Sequence, residues 1–277
     1  MTLDDLVKAA LEEDVGGGDV TTQWTIDPSL SGIARVLSRS EGVVSGLEPF
    51  SLVFRQLNRS IVIRSSIKDG DRITPDEIIC ELSGPFAAIL TGERTALNFL
   101  GRLSGIATLT RRFVDQVQGS KAVILDTRKT TPLWRELEKA AVRHGGGENH
   151  RQGLYDMILV KDNHEAAAGG ITAALSKVFE GLKRSERPIP VEVEVQNLEQ
   201  IDEVLNFKVD RILLDNFNLA MIEEAVANVA GRVALEVSGG VTLQNVRRIA
   251  ETGVNFISIG ALTHSAPSLD FTLLLVR

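Results

Sequence analysis

The stretch 211–238, RILLDNFNLAMIEEAVANVAGRVALEVS, decides the reading of the fold. It holds an apolar run, Arg211-Ile-Leu-Leu, then an amphipathic segment from Leu219 to Val229, then a second apolar run from Val233 to Val237. Runs that are apolar along their whole length, rather than alternating, suit strands buried on both faces, and the segment between them has helical spacing. This is one β-then-α unit of a parallel sheet with helices outside.

Working outward, the same unit recurs. Apolar runs stand at Val123-Ile-Leu, Met157-Ile-Leu-Val, Val191 to Val195 and Phe256-Ile-Ser-Ile, with amphipathic stretches at Trp134 to Val142, Ile171 to Leu182, Leu198 to Leu205 and Leu243 to Thr252. Six or seven such units favour a barrel over an open doubly wound sheet. Upstream of about residue 120 the style differs. Leu3 to Leu11 has a helical apolar face, Ile33 to Leu37 and Ile61 to Ile67 alternate like half-solvated strands, and a long helical stretch runs from Phe86 to Val117. The expected fold class is α/β: an α+β N-terminal domain over 1–118, then an open α/β barrel of about six to seven strands over 119–277. The last apolar run, Phe271 to Val276, reads as a strand or helix that can return to the first domain.

The 277 residues carry a formal net charge of −7, and 43% are hydrophobic. This is globular composition, and the acidic balance argues against nucleic acid or an anionic membrane as partner. Cys80, the single cysteine, reads as a small buried hydrophobe. Met1-Thr-Leu-Asp-Asp has no signal-peptide pattern and no apolar run is long enough to span a bilayer, so a cytoplasmic protein is expected.

In barrels of this kind the working residues gather at the C-terminal ends of the strands. Those ends are polar here: Asp126-Thr-Arg-Lys, Lys161-Asp-Asn-His, Glu192 and Glu194, Asp215-Asn216, Ser238-Gly-Gly, and Gly260-Ala261. One polar strand end means little, whereas six in succession are hard to explain by packing. Along Val191-Glu-Val-Glu-Val the two glutamates share a face and need a metal, a cation or hydroxyl donors. Salt bridges to barrel lysines are the plain alternative. Arg128, Lys129, His150, Arg151 and Lys161 are five cationic or potentially cationic groups that can converge on one mouth. Such a cluster repels itself unless an anion with several carboxylates or phosphates fills it. Taken singly, each is an ordinary solvated loop charge. The glycine turns at Ser238-Gly-Gly and Gly260 suit a phosphate held by backbone N–H groups, or simply tight turns. Arg94, within Glu93-Arg-Thr and one turn from Asn98, is undecided on physical grounds.

The chain resembles one family, the quinolinate phosphoribosyltransferases. The resemblance rests on Glu13-Asp-Val-Gly-Gly-Gly-Asp-Val-Thr-Thr, Glu93-Arg-Thr-Ala-Leu-Asn, Asp126-Thr-Arg-Lys-Thr-Thr-Pro, Gly145-Gly-Gly-Glu-Asn-His-Arg, Leu159-Val-Lys-Asp-Asn-His, Val191-Glu-Val-Glu-Val, Leu214-Asp-Asn, Glu236-Val-Ser-Gly-Gly-Val and Ser258-Ile-Gly-Ala-Leu-Thr-His. It implies phosphoribosyl transfer from phosphoribosyl pyrophosphate to quinolinate with decarboxylation, magnesium as cofactor, and a homodimer in which one chain caps the barrel of the other. It also implies site roles. Arg94 becomes a substrate contact across the interface, joined by Arg128, His150, Arg151 and Lys161, with Lys129 between both substrates. Glu194 and Asp215 become ligands of magnesium or the ribose hydroxyls, and Lys129, Glu194 and Asp215 the catalytic set. Ser238, Gly239, Gly240 and Gly260 become the 5′-phosphate site. The chain departs from the family pattern at Gln196, where aspartate is usual, at Leu133-Trp134, where the pair begins with glycine, and at His144, where cysteine is common. Three other readings stay open: a same-fold transferase of the branch associated with molybdenum uptake, a non-catalytic phosphosugar-binding barrel, and an aldolase using Lys161 as a Schiff base.

Overall fold

A computed structural model describes residues 1–276. In chain order its elements are α1 (Leu3–Val15), α2 (Val20–Thr25), β1 (Ser31–Ser38), β2 (Gly42–Val43), α3 (Leu47–Leu57), β3 (Val62–Arg64), β4 (Arg72–Ile73), β5 (Ile78–Pro85) and α4 (Phe86–Gln116). Then come β6 (Val123–Leu125), α5 (Arg135–His144), β7 (Ile158–Val160), α6 (Asp162–Ala168), α7 (Ile171–Leu182), β8 (Val191–Val195), α8 (Leu198–Val204), β9 (Arg211–Asp215), α9 (Leu219–Val229), β10 (Ala234–Ser238), α10 (Val246–Glu251), β11 (Phe256–Ser258), α11 (Ala261–His264) and β12 (Phe271–Val276). They divide into two compact units, one of residues 1–111, 130–146 and 262–277, the other of 112–129 and 147–261. No helix among the described residues is long and apolar enough to cross a membrane.

The first unit is built on an antiparallel sheet in the order β12-β1-β5-β3. The run 271–276 is therefore a strand, and it lies alongside β1 with Ile33 opposite Val276. Alternation along β1 sends Ala34 and Val36 into a core with Phe50, Phe54, Leu82, Phe99 and Leu273, and leaves Ile33 and Arg35 outside. The 13–22 motif works as a fastener onto α4. Asp19 caps α2 through the Thr22 amide at 3.0 Å and accepts from Thr91 Oγ1 at 3.1 Å, while Asp14 accepts from Thr95 Oγ1 at 3.0 Å. The amphipathic run after β6, expected among the barrel helices, is α5 and groups with this unit. Trp134 stacks on Phe99 at 4.7 Å, and the buried Glu138 accepts from the Thr131 amide at 3.0 Å and pairs with Arg102 at 3.2 Å. Gly145 has no room for a side chain, because a Cβ there would sit 2.4 Å from the Ala107 carbonyl oxygen.

The second unit is a parallel sheet whose six strands, among the described residues, run β6-β11-β10-β9-β8-β7. Strands β6 and β7, which full closure would pair, remain its two edges, so the barrel is open on that side. Register fixes which side chains share the inner face. Leu159 lies opposite Glu192, Glu192 opposite Arg211, Leu213 opposite Glu236, Asp215 opposite Ser238, and Phe256 opposite Val123. Because side chains alternate, one inner file holds Glu192, Glu194, Arg211, Asp215, Glu236, Ser238 and Ser258. The other file packs under the helices: Val191, Val193, Val195, Ile212, Leu214, Leu235 and Val237 are all buried. The barrel interior is thus unusually rich in charge.

Candidate active site

Lys161 follows β7 and starts α6, where its amide donates to His164 Nδ1 at 3.0 Å. Its Nζ pairs with Glu194 Oε2 near the end of β8. Asp215 ends β9 on the same inner file and accepts from Asn216 Nδ2 at 2.8 Å. Asn216 takes φ +57°, and its amide donates to Ser238 O at 2.9 Å. Glycine is required next to it, since a Cβ at Gly239 would lie 2.1 Å from Asn216 Oδ1 and φ there is +90°. Gly240, at φ +61°, accepts through its carbonyl from Asn245 Nδ2 at 2.9 Å. The Ser238–Gly240 turn therefore offers bare backbone beside Asp215, and Gly260 ends the neighbouring strand's exit.

Arg128 and Arg151 form the cationic part. Burial and then the charge of Arg128 push the Arg151 guanidinium down from its usual range, with Glu192 and Asp156 opposing that shift. Two arginines held close enough to repel, with the buried Arg128 Nε lacking a hydrogen-bond partner, are arranged for an anion. Lys129 is exposed beyond Arg128, its amide donating to Thr127 Oγ1 at 3.1 Å. Arg94 belongs to the first unit, exposed on α4 one turn from Asn98.

His150, expected to be part of the cationic mouth, is buried at 8% exposure. Its Nε2 lies 2.9 Å from Glu192 Oε2 and 3.4 Å from Glu236 Oε1. Glu236 is further tied to Arg211 and Ser258, and Arg211 sits 3.8 Å from the centre of the Phe256 ring. Burial disfavours the imidazolium, but the two carboxylates outweigh burial and raise the His150 pKa to about 9. The Arg151 amide, 2.7 Å from Nδ1, works against the cation because it needs an unprotonated nitrogen there. In either state Nε2 carries the proton that faces the carboxylates. Burial also raises Glu192, whose oxygens receive no aligned hydrogen bond, whereas His150, Arg211 and Ser258 overcome burial and hold Glu236 low. His150, Glu192 and Glu236 lie close enough to hold a metal ion. Glu236 already carries a guanidinium on one oxygen and a hydroxyl on the other, so the trio reads as a closed ion-pair cluster.

The sequence marks Asp126 only as part of a polar strand end, and gives Arg211, Glu236 and Ser258 no site role of their own. A signal exists: Ala234, Glu236 and Ser238 alternate as Glu192 and Glu194 do, within a run that is otherwise apolar from Val233 to Val237.

Two family descriptions match the chain: the C-terminal domain of quinolinate phosphoribosyl transferase over residues 106–274 and its N-terminal domain over 19–104. The chain belongs to the quinolinate phosphoribosyl transferase family. Among its relatives, a chloroplastic nicotinate-nucleotide pyrophosphorylase (carboxylating) of Arabidopsis thaliana is 42% identical over 97% of this chain and 81% of its own length. A probable nicotinate-nucleotide pyrophosphorylase (carboxylating) of Bacillus subtilis is 42% identical over 94% and 89%. The solved nicotinate-nucleotide pyrophosphorylase of Francisella tularensis superposes with a TM-score of 0.94 at 40% identity, covering 99% of this chain and 96% of that one. Against the family pattern, Leu133 stands at φ +68°, a left-handed conformation that glycine adopts freely. His144 Nδ1 lies 2.8 Å from Ser45 Oγ, and the Gln196 amide donates to Gln200 Oε1 at 2.7 Å.

Proposed function

We propose that this family member transfers the phosphoribosyl group of phosphoribosyl pyrophosphate to quinolinate with loss of carbon dioxide, giving nicotinate mononucleotide and pyrophosphate for NAD biosynthesis. The supporting observation is the Arg128–Arg151 pair with its unpartnered buried Nε, which calls for an anion of more than one carboxylate. The pyridine nitrogen carries no proton, so the protein needs no base to activate it. Its work is positioning and charge stabilisation.

In this reading Arg128 and Arg151 grip the dicarboxylate, His150 packs beneath them, and Lys161 reaches the same mouth. The Ser238–Gly240 turn and Gly260 take the 5′-phosphate through backbone N–H groups. As pyrophosphate departs, positive charge grows on the ribose and Glu194 and Asp215 stabilise it, while Lys129 offsets the leaving group. The nicotinic ring nitrogen is then cationic and stabilises the carbanion left by carbon dioxide, which a proton quenches. Two carboxylates on adjacent strands, with substrate phosphates and water to complete the shell, suit magnesium. Glu194 and Asp215 are the residues that would hold it, with Lys161 competing for Glu194. When bound, magnesium supplies further counter-charge for the pyrophosphate.

A homodimer in which Arg94 of a second copy touches quinolinate belongs to the same proposal. Mixing inactive Arg94→Ala and Arg151→Ala proteins should restore part of the activity if each site draws on two chains. A cytoplasmic location is also proposed. The lone thiol of Cys80 is buried and pushed up to about 12 by burial, so it is inert and suits a reducing compartment. Cell fractionation checks this, since plant relatives are described as chloroplastic or mitochondrial. The reaction itself is tested by incubating the protein with phosphoribosyl pyrophosphate, magnesium and either quinolinate or nicotinate. Nicotinate mononucleotide and carbon dioxide from quinolinate alone are expected. Product from nicotinate without carbon dioxide would overturn the acceptor.

A further inference from the structure

We infer that Asp126 and Glu236 are positioning residues: from opposite sides they hold the His150–Arg151 segment in the open side of the barrel, and so set the arginine pair that receives the dicarboxylate. The inference rests on the functional reading above and concerns residues that do not touch substrate.

The open edge makes such a device necessary. Among the described residues no ladder pairs β6 with β7, so the segment between α5 and β7 must be fixed by other means. One strand-like bridge joins Leu125 to Glu148: the Glu148 amide donates to Ile124 O at 2.9 Å, and the Asp126 amide donates to Glu148 O at 3.2 Å. The bridge stops there, and the Asp126 side chain continues it. Fully buried, its Oδ1 accepts from the His150 amide at 2.9 Å and its Oδ2 from Asn149 Nδ2 at 2.5 Å. A single carboxylate thus replaces the next rungs of a ladder.

Glu236 acts from the barrel interior. It lies on β10, two strands from Glu192 on β8, and is immobilised by Arg211 and Ser258. Its Oε1 stands 3.4 Å from His150 Nε2, beside Glu192 Oε2 at 2.9 Å, and on the ring's other side the Arg151 amide lies 2.7 Å from Nδ1. The imidazole is therefore a spacer between a fixed carboxylate and the backbone of Arg151. Arg151 is steadied at its far end by a donation from Nη1 to Met157 O at 3.2 Å. Shifting the ring shifts the Arg151 main chain, and with it the distance to Arg128. Charge alone would not need this layout, since any buried pairing would satisfy Glu236. The spacer geometry is what points to positioning.

The test compares wild type with Asp126→Asn, Glu236→Gln and Ser258→Ala, measuring steady-state constants for each substrate and melting temperature. Asp126→Asn and Glu236→Gln should raise the quinolinate KM at least tenfold, keep the phosphoribosyl pyrophosphate KM within twofold, and change kcat less than the quinolinate KM. Ser258→Ala removes one donor from Glu236 but leaves every charge paired, so it folds even if the other two do not, and it should raise the quinolinate KM about threefold. A quinolinate KM unchanged in folded variants overturns the inference. So does a parallel rise in both KM values tracking the loss of melting temperature, because that is what mere destabilisation gives. A wild type that does not turn over quinolinate at all sinks the functional reading and this inference with it, an outcome distinct from active wild type with unaffected variants.

Discussion

The two sheets of this protein use the same alternation to opposite ends. In β1 of the antiparallel sheet, alternation sends Ala34 and Val36 inward and Arg35 outward, where it pairs with Glu81 at 2.7 Å with both side chains more than two-fifths exposed. In β8 of the barrel, Val191, Val193 and Val195 meet the helices, and Glu192 and Glu194 meet the interior. An exposed pair contributes about 0–1 kcal/mol, whereas breaking a buried one by removing a partner costs about 3–5 kcal/mol. A charged residue in a strand therefore means little until it is known which face is wet. In the barrel both faces are covered, so each inward charge demands a partner inside the protein or a ligand at its mouth.

That contrast can be broken or sharpened by substitution. The largest effect is expected where the demanded partner is the ligand. Arg128→Ala or Arg151→Ala should weaken quinolinate binding on the order of a hundredfold, about 2.7 kcal/mol, read by calorimetry. Unchanged binding in both would remove the reason for reading the pair as a ligand site. Next comes the buried cluster. The His150 pKa is raised to about 9 in the folded protein, so its stabilising contribution is fully present below its unfolded value near 6.5 and is lost as pH rises through 9. His150→Gln should accordingly melt several degrees below wild type at pH 6, with the gap narrowing by pH 9.5; a gap independent of pH would mean that His150 stays neutral. Smaller still, Leu133→Gly relieves a left-handed leucine, and thermal melts should show a gain of about 0.5–1 kcal/mol. The smallest change belongs to Arg35→Ala, within about 0.5 kcal/mol by urea titration. A loss of 2 kcal/mol there would erase the distinction between the sheets.

Legibility in the sequence follows the same line. The parallel strands were plain because burial on both faces makes them apolar throughout, as in Val123 to Leu125 and Arg211 to Leu214. The long helix was plain too, and ends at Gln116, one residue before the expected Val117. Boundaries blurred where one face is solvated: the strand expected over Ile61 to Ile67 is only Val62–Arg64. Helix α6 is hidden in the sequence because Lys161-Asp-Asn-His has the composition of a polar strand exit, while its role as a helix start depends on the Lys161 amide meeting His164 Nδ1. The grouping of α5 away from the barrel depends on Trp134 finding Phe99 and Glu138 finding Arg102, contacts distant in the chain that local periodicity does not carry. Residue types and their placement single out Arg128, Arg151, Lys161 and Glu194, and the structure pairs Lys161 with Glu194 and sets Arg128 near Arg151. They did not reveal that His150 faces inward, because that depends on the barrel being open between β6 and β7.

The pairing of β12 with β1 has a consequence for how the chain is made. Ile33 is synthesised long before its neighbour Val276. While the barrel strands emerge and pair largely with sequence neighbours, β1 waits with one edge uncovered. Its outward Ile33 is still 42% exposed even in the finished fold. A half-made chain therefore carries an adhesive strand from the time β1 emerges, and chaperone capture or misassembly during synthesis should concentrate on that edge until β12 emerges to cover it.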